Sequence, residues 1–217
     1  MYIPPQFVEK DLSILQSTIK ELRFGSLITV NGQSILASHI PMLIDDKVGT
    51  YGVLEGHIAR ANPQGAGITK SIHALAIFTG PNAYISPSWY ATTREHGKAV
   101  PTWNYIAVHA FGALEIIEDK KWLQNHVEKL TDQNEHGRQS AWSISDAPEN
   151  YIESQLGGIL GWRMPIERIE GAWKMIQHHT EGNRRGTIEA LSNSDKAGDI
   201  AVSEVMKNLE IKRKSNQ

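Results

Sequence analysis

The chain contains no cysteine. That absence excludes disulfides, thiolate-bound zinc, iron–sulfur clusters and thiol catalysis. Charge of one sign is also lacking: 22 Lys and Arg stand against 24 Asp and Glu, a formal net charge of -2. This is not the basic excess of a dedicated nucleic-acid binder. No apolar stretch approaches the ~20 residues of a membrane helix, and the opening MYIPPQFVEKDL lacks the basic-then-apolar pattern of a secretory signal. The expectation is a soluble, cytoplasmic protein that enters no membrane. No GxGxxG opens a helix, and no GxxxxGKS or GxxxxGKT occurs, so a nucleotide cofactor would not sit on a Rossmann turn or a P-loop. The 217 residues suffice for one embellished domain or two small ones with a core that needs no staples.

What is present is a run of short strands between helices. Asp11 to Phe24 reads as a helix: Asp11 can cap it, and Leu12, Leu15, Ile19 and Leu22 recur at helical spacing. Pro4 and Pro5 keep the preceding segment extended. Leu27 to Val30 and Ile35 to Ile44 read as strands joined by an Asn31-Gly32 hairpin turn, with Pro41 at an edge or bulge. Tyr51 to Ile58 is a third strand and His73 to Phe78 a fourth. Gly80-Pro81-Asn82 is expected to turn the chain into a fifth strand at Ala83. Pro87 to Pro101 reads as a long loop of the kind that carries function. Asn104 to Ile116 is the clearest strand, with Ile106, Val108, Leu114 and Ile116 on one face and Tyr105, His109, Phe111 and Glu115 on the other. Asp119 to His136 and Asp146 to Leu160 read as helices, Arg163 to Met175 as a last strand, and Arg184 to Leu209 as helices broken near Ser192 to Ser194. The closing IKRKSNQ is expected to fray. Hairpin-like intervals between strands indicate an antiparallel sheet rather than a doubly wound one.

Four segments in this order are specific together: MYIPPQF, ASHIP (Ala37 to Pro41), GHIARANPQ (Gly56 to Gln64), and the block from Ala76 to Gly112 holding AIFTGPNAYISPSWY and VPTWNYIAVHAFG. With ERIEG at Glu167 to Gly171, they make residues 1 to 175 resemble the PaiB-type FMN-binding negative transcriptional regulators. The resemblance implies a mainly β fold with helices, a six-stranded antiparallel Greek-key split β-barrel with peripheral α-helices. It also implies FMN as cofactor, bound between the subunits of a homodimer. On this reading residues 1–178 form the FMN-binding domain and 179–217 a C-terminal helical extension. The sequence departs from the family after its last strand. The family has a GKWKLSQNR-like stretch there, and this chain has GAWKMIQHH, with Ala172, Ile176, His178 and His179 replacing Lys, Ser, Asn and Arg while Lys174 remains.

FMN asks for donors and cations at its phosphate, flat walls at its ring, and a few placed polar groups at its pyrimidine edge. Arg60 has the fork for two phosphate oxygens, although an exposed arginine equally pairs with a carboxylate. A short helix is expected to begin at Ala61 to Pro63. His57 can add a donor or be a satisfied structural histidine, and Asn62 belongs to the same motif. Ser38 and His39 point to opposite faces of their strand unless a bulge intervenes. Ser86 and Ser88 offer hydroxyls, Trp89 a ring wall or a plug of the barrel mouth, and Thr102, Trp103 and Asn104 the same chemistry from the next strand. His109 suits a flavin cleft or a dimer interface. Adjacent His178 and His179 diverge in regular structure and read as surface polarity rather than a metal site.

Three functions fit these residues. The first is an FMN-binding regulator, acting on DNA or through a protein partner; no helix-turn-helix is evident. The second is a flavin-dependent oxidoreductase resembling pyridoxamine phosphate oxidases or flavin reductases. The third is a split barrel binding haem through a histidine.

Overall fold

A computed structural model describes residues 1–31, 34–65 and 72–215. The Asn31-Gly32 turn lies partly outside these residues. The strands are β1 (Val8–Glu9), β2 (Phe24–Asn31), β3 (Ser34–Asp45), β4 (Val53–Ala59), β5 (Ile72–Ile85), β6 (Thr102–Ile117) and β7 (Ile159–Lys174). The helices are α1 (Leu12–Leu22), α2 (Ala91–His96), α3 (Lys120–Glu135), α4 (Glu149–Gly157), α5 (Glu181–Ser192) and α6 (Ala197–Ser215).

The strand order is β1-β7-β4-β3-β2-β5-β6, and β6 also pairs with β7. Six strands, β2 to β7, therefore form a closed ring, with the two-residue β1 added beside β7. Within it, β2, β3 and β4 follow one another as antiparallel neighbours, and β5 returns to lie beside β2. This is a Greek key, and the fold is the antiparallel split barrel with peripheral helices that the resemblance implies. β3 pairs with β2 up to Pro41 and with β4 from Met42 onward. Pro41, which has no N–H to donate, falls at this change of partner.

The chain divides into two compact units. Residues 11–78 and 109–169 make one, termed the strand unit; residues 1–10, 79–108 and 170–217 make the other, the helical unit. In the strand unit Asp11 caps α1 by accepting from the backbone N–H of Ser13 and Ile14, and the helix buries Leu15 and Ile19, four residues apart on one face. The core there includes Leu27, Met42, Leu54, Phe78, Leu114, Leu123 and Trp162. Two glycines permit close approaches. A methyl group on Gly56 would overlap the Trp162 indole, and one on Gly112 would overlap the Pro165 carbonyl oxygen and come within 2.9 Å of Met164 Cγ. In the helical unit, α5 and α6 bring Leu191, Val202 and Met206 onto Ala83, Ile85, Tyr90, Ile106, Met175 and Ile176. Arg184, 8 % exposed, pairs twice with Glu210 (2.5 and 3.1 Å) and so joins α5 to α6.

Several expectations are corrected. Pro5 does not continue an extended segment but opens a 3-10 turn, Pro5–Phe7. Gly80-Pro81-Asn82 does not end a strand. β5 runs through it, and its buried positions shift from Ala74, Ala76, Phe78 and Gly80 to Ala83 and Ile85, one residue out of step. The turn signal thus marks a change of face within one strand. The expected loop after Pro87 contains a 3-10 turn, Pro87–Trp89, and α2, which Gly97 ends with φ 68°. The tail does not fray at Ile211: α6 continues to Ser215, and Arg213 donates to the Gln177 carbonyl (2.9 Å).

The Gly112 contact is with backbone, which cannot move aside as a side chain can. Gly112→Ala is expected to cost about 3 kcal/mol or more, at the top of the range for overpacking. Gly157→Ala, where a methyl meets nothing within 4 Å, is expected to be neutral or slightly stabilising. Urea midpoints of the two variants test the contrast; equal midpoints would show that β6 and β7 do not approach this closely.

Candidate functional site

In the strand unit, the turn that follows β4 carries two of the expected polar residues, Arg60 and Asn62. No helix forms at Ala61 to Pro63; the segment is a turn, in which Asn62 N–H donates to the Ala59 carbonyl (2.8 Å) and Gly65 N–H to the Asn62 carbonyl (3.0 Å). A ligand here therefore meets side-chain donors rather than a helix dipole. Asn62 Nδ2 donates to Ser38 Oγ on β3 (2.9 Å), which brings two expected residues together. Arg60 is exposed and held on three sides: Nη1 donates to Glu118 (2.7 Å), Nε to the Gly157 carbonyl (3.1 Å) and Nη2 to the Ile159 carbonyl (3.3 Å).

Gln64 fixes this turn. It is 3 % exposed, and its Nε2 reaches the Leu27 carbonyl (2.9 Å), Thr29 Oγ1 (3.1 Å) and the Leu36 carbonyl (3.4 Å). One amide thus ties the turn to both β2 and β3. Its position in GHIARANPQ was visible in the sequence, but polarity alone gave no sign of burial.

The histidines separate. His39 is exposed and its Nδ1 bonds Ser26 Oγ (2.9 Å), its direct partner across the β2–β3 ladder. His57 Nδ1 lies 3.2 Å from His126 Nε2, and His126 stacks on Trp122 with ring centroids 5.1 Å apart and planes 6° from parallel. His126 is buried, and its Nδ1 has no partner among the described residues. Burial lowers the pKa of both rings, that of His126 to about 4. His57 thus faces a second imidazole and favours its neutral form. His109 sits beside Phe111 (6.1 Å), whose ring carries the Arg168 guanidinium at 3.6 Å; burial first, and the Arg168 charge after it, lower its pKa.

In the helical unit, Ser86 Oγ and Ser88 Oγ bond one another (2.8 Å), and Trp89 packs against the α5–α6 core. Trp103 is 54 % exposed and meets Tyr84 edge-to-face at 6.1 Å. Asn104 is buried; its Nδ2 lies 3.4 Å from Met206 Sδ and its Oδ1 has no partner. Thr102 accepts a hydrogen bond from Lys174, which also donates to the Trp103 carbonyl (2.8 Å). His178 is exposed, as the surface reading has it, and meets the Phe7 ring at 5.4 Å; His179 is half-buried and meets buried Tyr90 at 4.9 Å. Neither Lys174 nor Tyr90 stood out in sequence as a site residue, because single residues of either type are ordinarily structural.

This is the fold of a split-barrel flavoprotein. A family model described as "Putative FMN-binding domain" matches residues 1–168, and the chain belongs to that family, whose ligand is FMN. A Bacillus subtilis protein named Protease synthase and sporulation protein PAI 2 is 32% identical, over 95% of this chain and 96% of its own. An uncharacterised Emericella nidulans protein is 34% identical, over 89% of this chain and 91% of its own. The FAD and heme binding protein from Mycobacterium smegmatis shares the fold, with a TM-score of 0.55 at 13% identity over 77% of this chain and 73% of that one.

The residues present fit FMN at its phosphate. Arg60, Ser38 and Asn62 supply a guanidinium, a hydroxyl and an amide within one turn and the adjoining strand, held from beneath by Gln64. Glu118 is the one carboxylate bonded to Arg60 among the described residues.

The histidine pair sets a pH dependence of stability. Unfolded, His126 takes up a proton near its ordinary value of 6.5; folded, it resists to about 4. Between these values the unfolded state binds more protons. Stability is therefore full above pH ~6.5 and falls toward pH ~4, by on the order of 2–3 kcal/mol. His126→Phe should flatten that slope in denaturation curves taken from pH 7 to 4. An unchanged slope would mean that other groups control it.

Proposed function

We propose that this protein is an FMN-dependent regulator of the PaiB type, working as a cytoplasmic homodimer, with the FMN phosphate on Arg60, Ser38 and Asn62. The observation that carries the reading is the Gln64-anchored turn in a chain of an FMN-binding family: it holds the Asn62 amide on the Ser38 hydroxyl and carries the Arg60 cation two residues earlier. The regulatory part draws on the Bacillus relative, named for protease synthesis and sporulation and nearly coextensive with this chain. Residues 1–178 are the flavin-binding part, and the helices of 179–217 extend it.

Two exposed apolar features support a second copy as partner. Val30 and Ile35, 56 and 74 % exposed, face each other across the β2–β3 ladder, a side chain pair that water leaves unfavourably placed. Tyr84 and Trp103 form an exposed aromatic pair, 47 and 54 % exposed, in the helical unit. Bound FMN supplies the electron-transfer chemistry. The chain's own groups hold and orient it: Arg60 neutralises phosphate, while Asn62 and Ser38 donate to its oxygens. With a net charge of -2, the protein is suited to regulate through flavin state and protein contacts rather than by gripping the DNA backbone.

Desalted protein loaded with FMN is expected to retain about one flavin per chain and to sediment as a dimer. Arg60→Ala should weaken FMN at least tenfold, the worth of a charge-assisted bond of about 1.5–3 kcal/mol. Glu118→Gln should act oppositely, tightening FMN by releasing the guanidinium from a competing carboxylate. Unchanged affinity in a folded Arg60→Ala dimer removes the phosphate from this turn. Steady nicotinamide oxidation by the loaded protein would turn the reading from regulator to oxidoreductase.

A further inference from the structure

Within the helical unit a cleft of about 380 Å³ is lined by residues from three distant parts of the sequence, among them Phe7, Tyr90, Thr102, Lys174, Ile176 and His179. Its volume lies at the small end of the range for ligand sites. Among the described residues, Lys174 is the only one lining the cleft that carries a permanent charge, and no Asp or Glu lines it. Two of its three N–H groups go to Thr102 Oγ1 and the Trp103 carbonyl. Among the described residues no carboxylate pairs with it. Burial pushes its pKa down, as expected of an ammonium without a counter-ion.

The remaining wall combines rings with the polar side chains of Gln6, Thr92 and Asn183. The Tyr90 ring is buried against His179 (4.9 Å), His178 meets His179 edge-on at 4.5 Å, and Phe7 meets His178 at 5.4 Å. Tyr90 is 1 % exposed, and its hydroxyl has no hydrogen-bond partner among the described residues. An unpaired buried hydroxyl is costly unless something else satisfies it. The backbone beneath is strained as well. Ile176, a β-branched residue, has φ 49°, a conformation that costs on the order of 1–3 kcal/mol and clusters at ligand sites. It is held there: Gln177 Oε1 accepts from the Met175 N–H (2.8 Å), and Arg184 donates to the His179 carbonyl.

We propose that this cleft binds a small planar organic anion, an aromatic ring carrying one carboxylate or phosphate group, with the anion on Lys174 and Thr102 and the ring against Tyr90, Phe7 and the two imidazoles. A lone cation among aromatic walls selects such a ligand over its neutral analogues, since with the anion the third Lys174 hydrogen bond joins two opposite charges and is stronger than one to a neutral carbonyl. Metal ions are poorly served by two adjacent, diverging imidazoles without a carboxylate.

The test is calorimetric titration of the full chain, with and without saturating FMN, using salicylate, its neutral analogue salicylamide, and acetate, which has the charge without the ring. Salicylate should bind once per chain in both states, with salicylamide and acetate at least tenfold weaker. Lys174→Met should lose salicylate at least tenfold while retaining flavin, and Thr102→Val should lose less. Three results would overturn the proposal: no saturable salicylate binding, equal affinity for salicylamide, or an undiminished affinity in folded Lys174→Met. Displacement of FMN by salicylate would also overturn it, by making the cleft the flavin's own seat. Failure of the protein to bind FMN at all would sink the flavin reading while leaving the FMN-free titration to decide this one.

Discussion

Closure of the strand ring is the constraint on which the rest depends. A sheet with a free edge leaves a row of unpaired N–H and C=O groups, and a ring leaves none. Closing it requires β6 to reach β7, and at Gly112 the two approach so closely that no side chain fits against the Pro165 carbonyl. The same demand appears at Gly56, where the β4 backbone lies on the Trp162 indole. Bulky residues fill the core because small ones stand opposite them. Pro41 belongs to the same logic: β3 exchanges β2 for β4 there, so a residue without an N–H sits where one ladder ends and another begins.

A closed ring pushes chemistry outward to its turns, since its interior is apolar. A turn is only useful as a binding element if its geometry is fixed, and here the fixing group is buried. Gln64 exchanges hydrogen bonds with water for bonds to Leu27, Thr29 and Leu36, which offsets the cost of burying an amide. Its Oε1 remains without a partner, so the anchor is itself incompletely satisfied. Arg60 is treated similarly. Two carbonyls and Glu118 hold its fork in one orientation before any ligand arrives, and less side-chain entropy is lost on binding. The arrangement exchanges raw attraction, reduced by Glu118, for orientation.

Much of this was legible in the sequence, and the misses share a cause. α1 and its Asp11 cap, the two faces of β6, the break between α5 and α6 and the order of the family motifs follow from local pattern. Gly80-Pro81-Asn82 misled because turn propensity is local, whereas the pairing of β5 is set by neighbours distant in sequence. The helix expected after Arg60 failed for the converse reason: the Asn62 side chain accepts from the Gln64 backbone N–H and closes a turn instead, and the Gln64 side chain ties that turn to β2. His126 lies three residues after buried Leu123, on the apolar side of α3, so its burial was readable from spacing. A polar side chain there was simply discounted. What spacing could not give is its partner, His57, 69 residues away.

The stretch after β7 sets packing against strain. Ile176, His178 and His179 are among the residues that line the cleft of the helical unit. Ile176 holds a branched side chain at φ 49° and buries it in the α5–α6 core. A small residue would relieve the backbone but empty the core, so packing and strain oppose each other, and packing prevails because burial of an isoleucine side chain contributes about as much as the strain costs or more. Beside the two imidazoles, Lys174 is the one Lys or Arg among the described residues that line the cleft, so the same strained stretch that completes the core also sets the charge and the ring surface of the cleft.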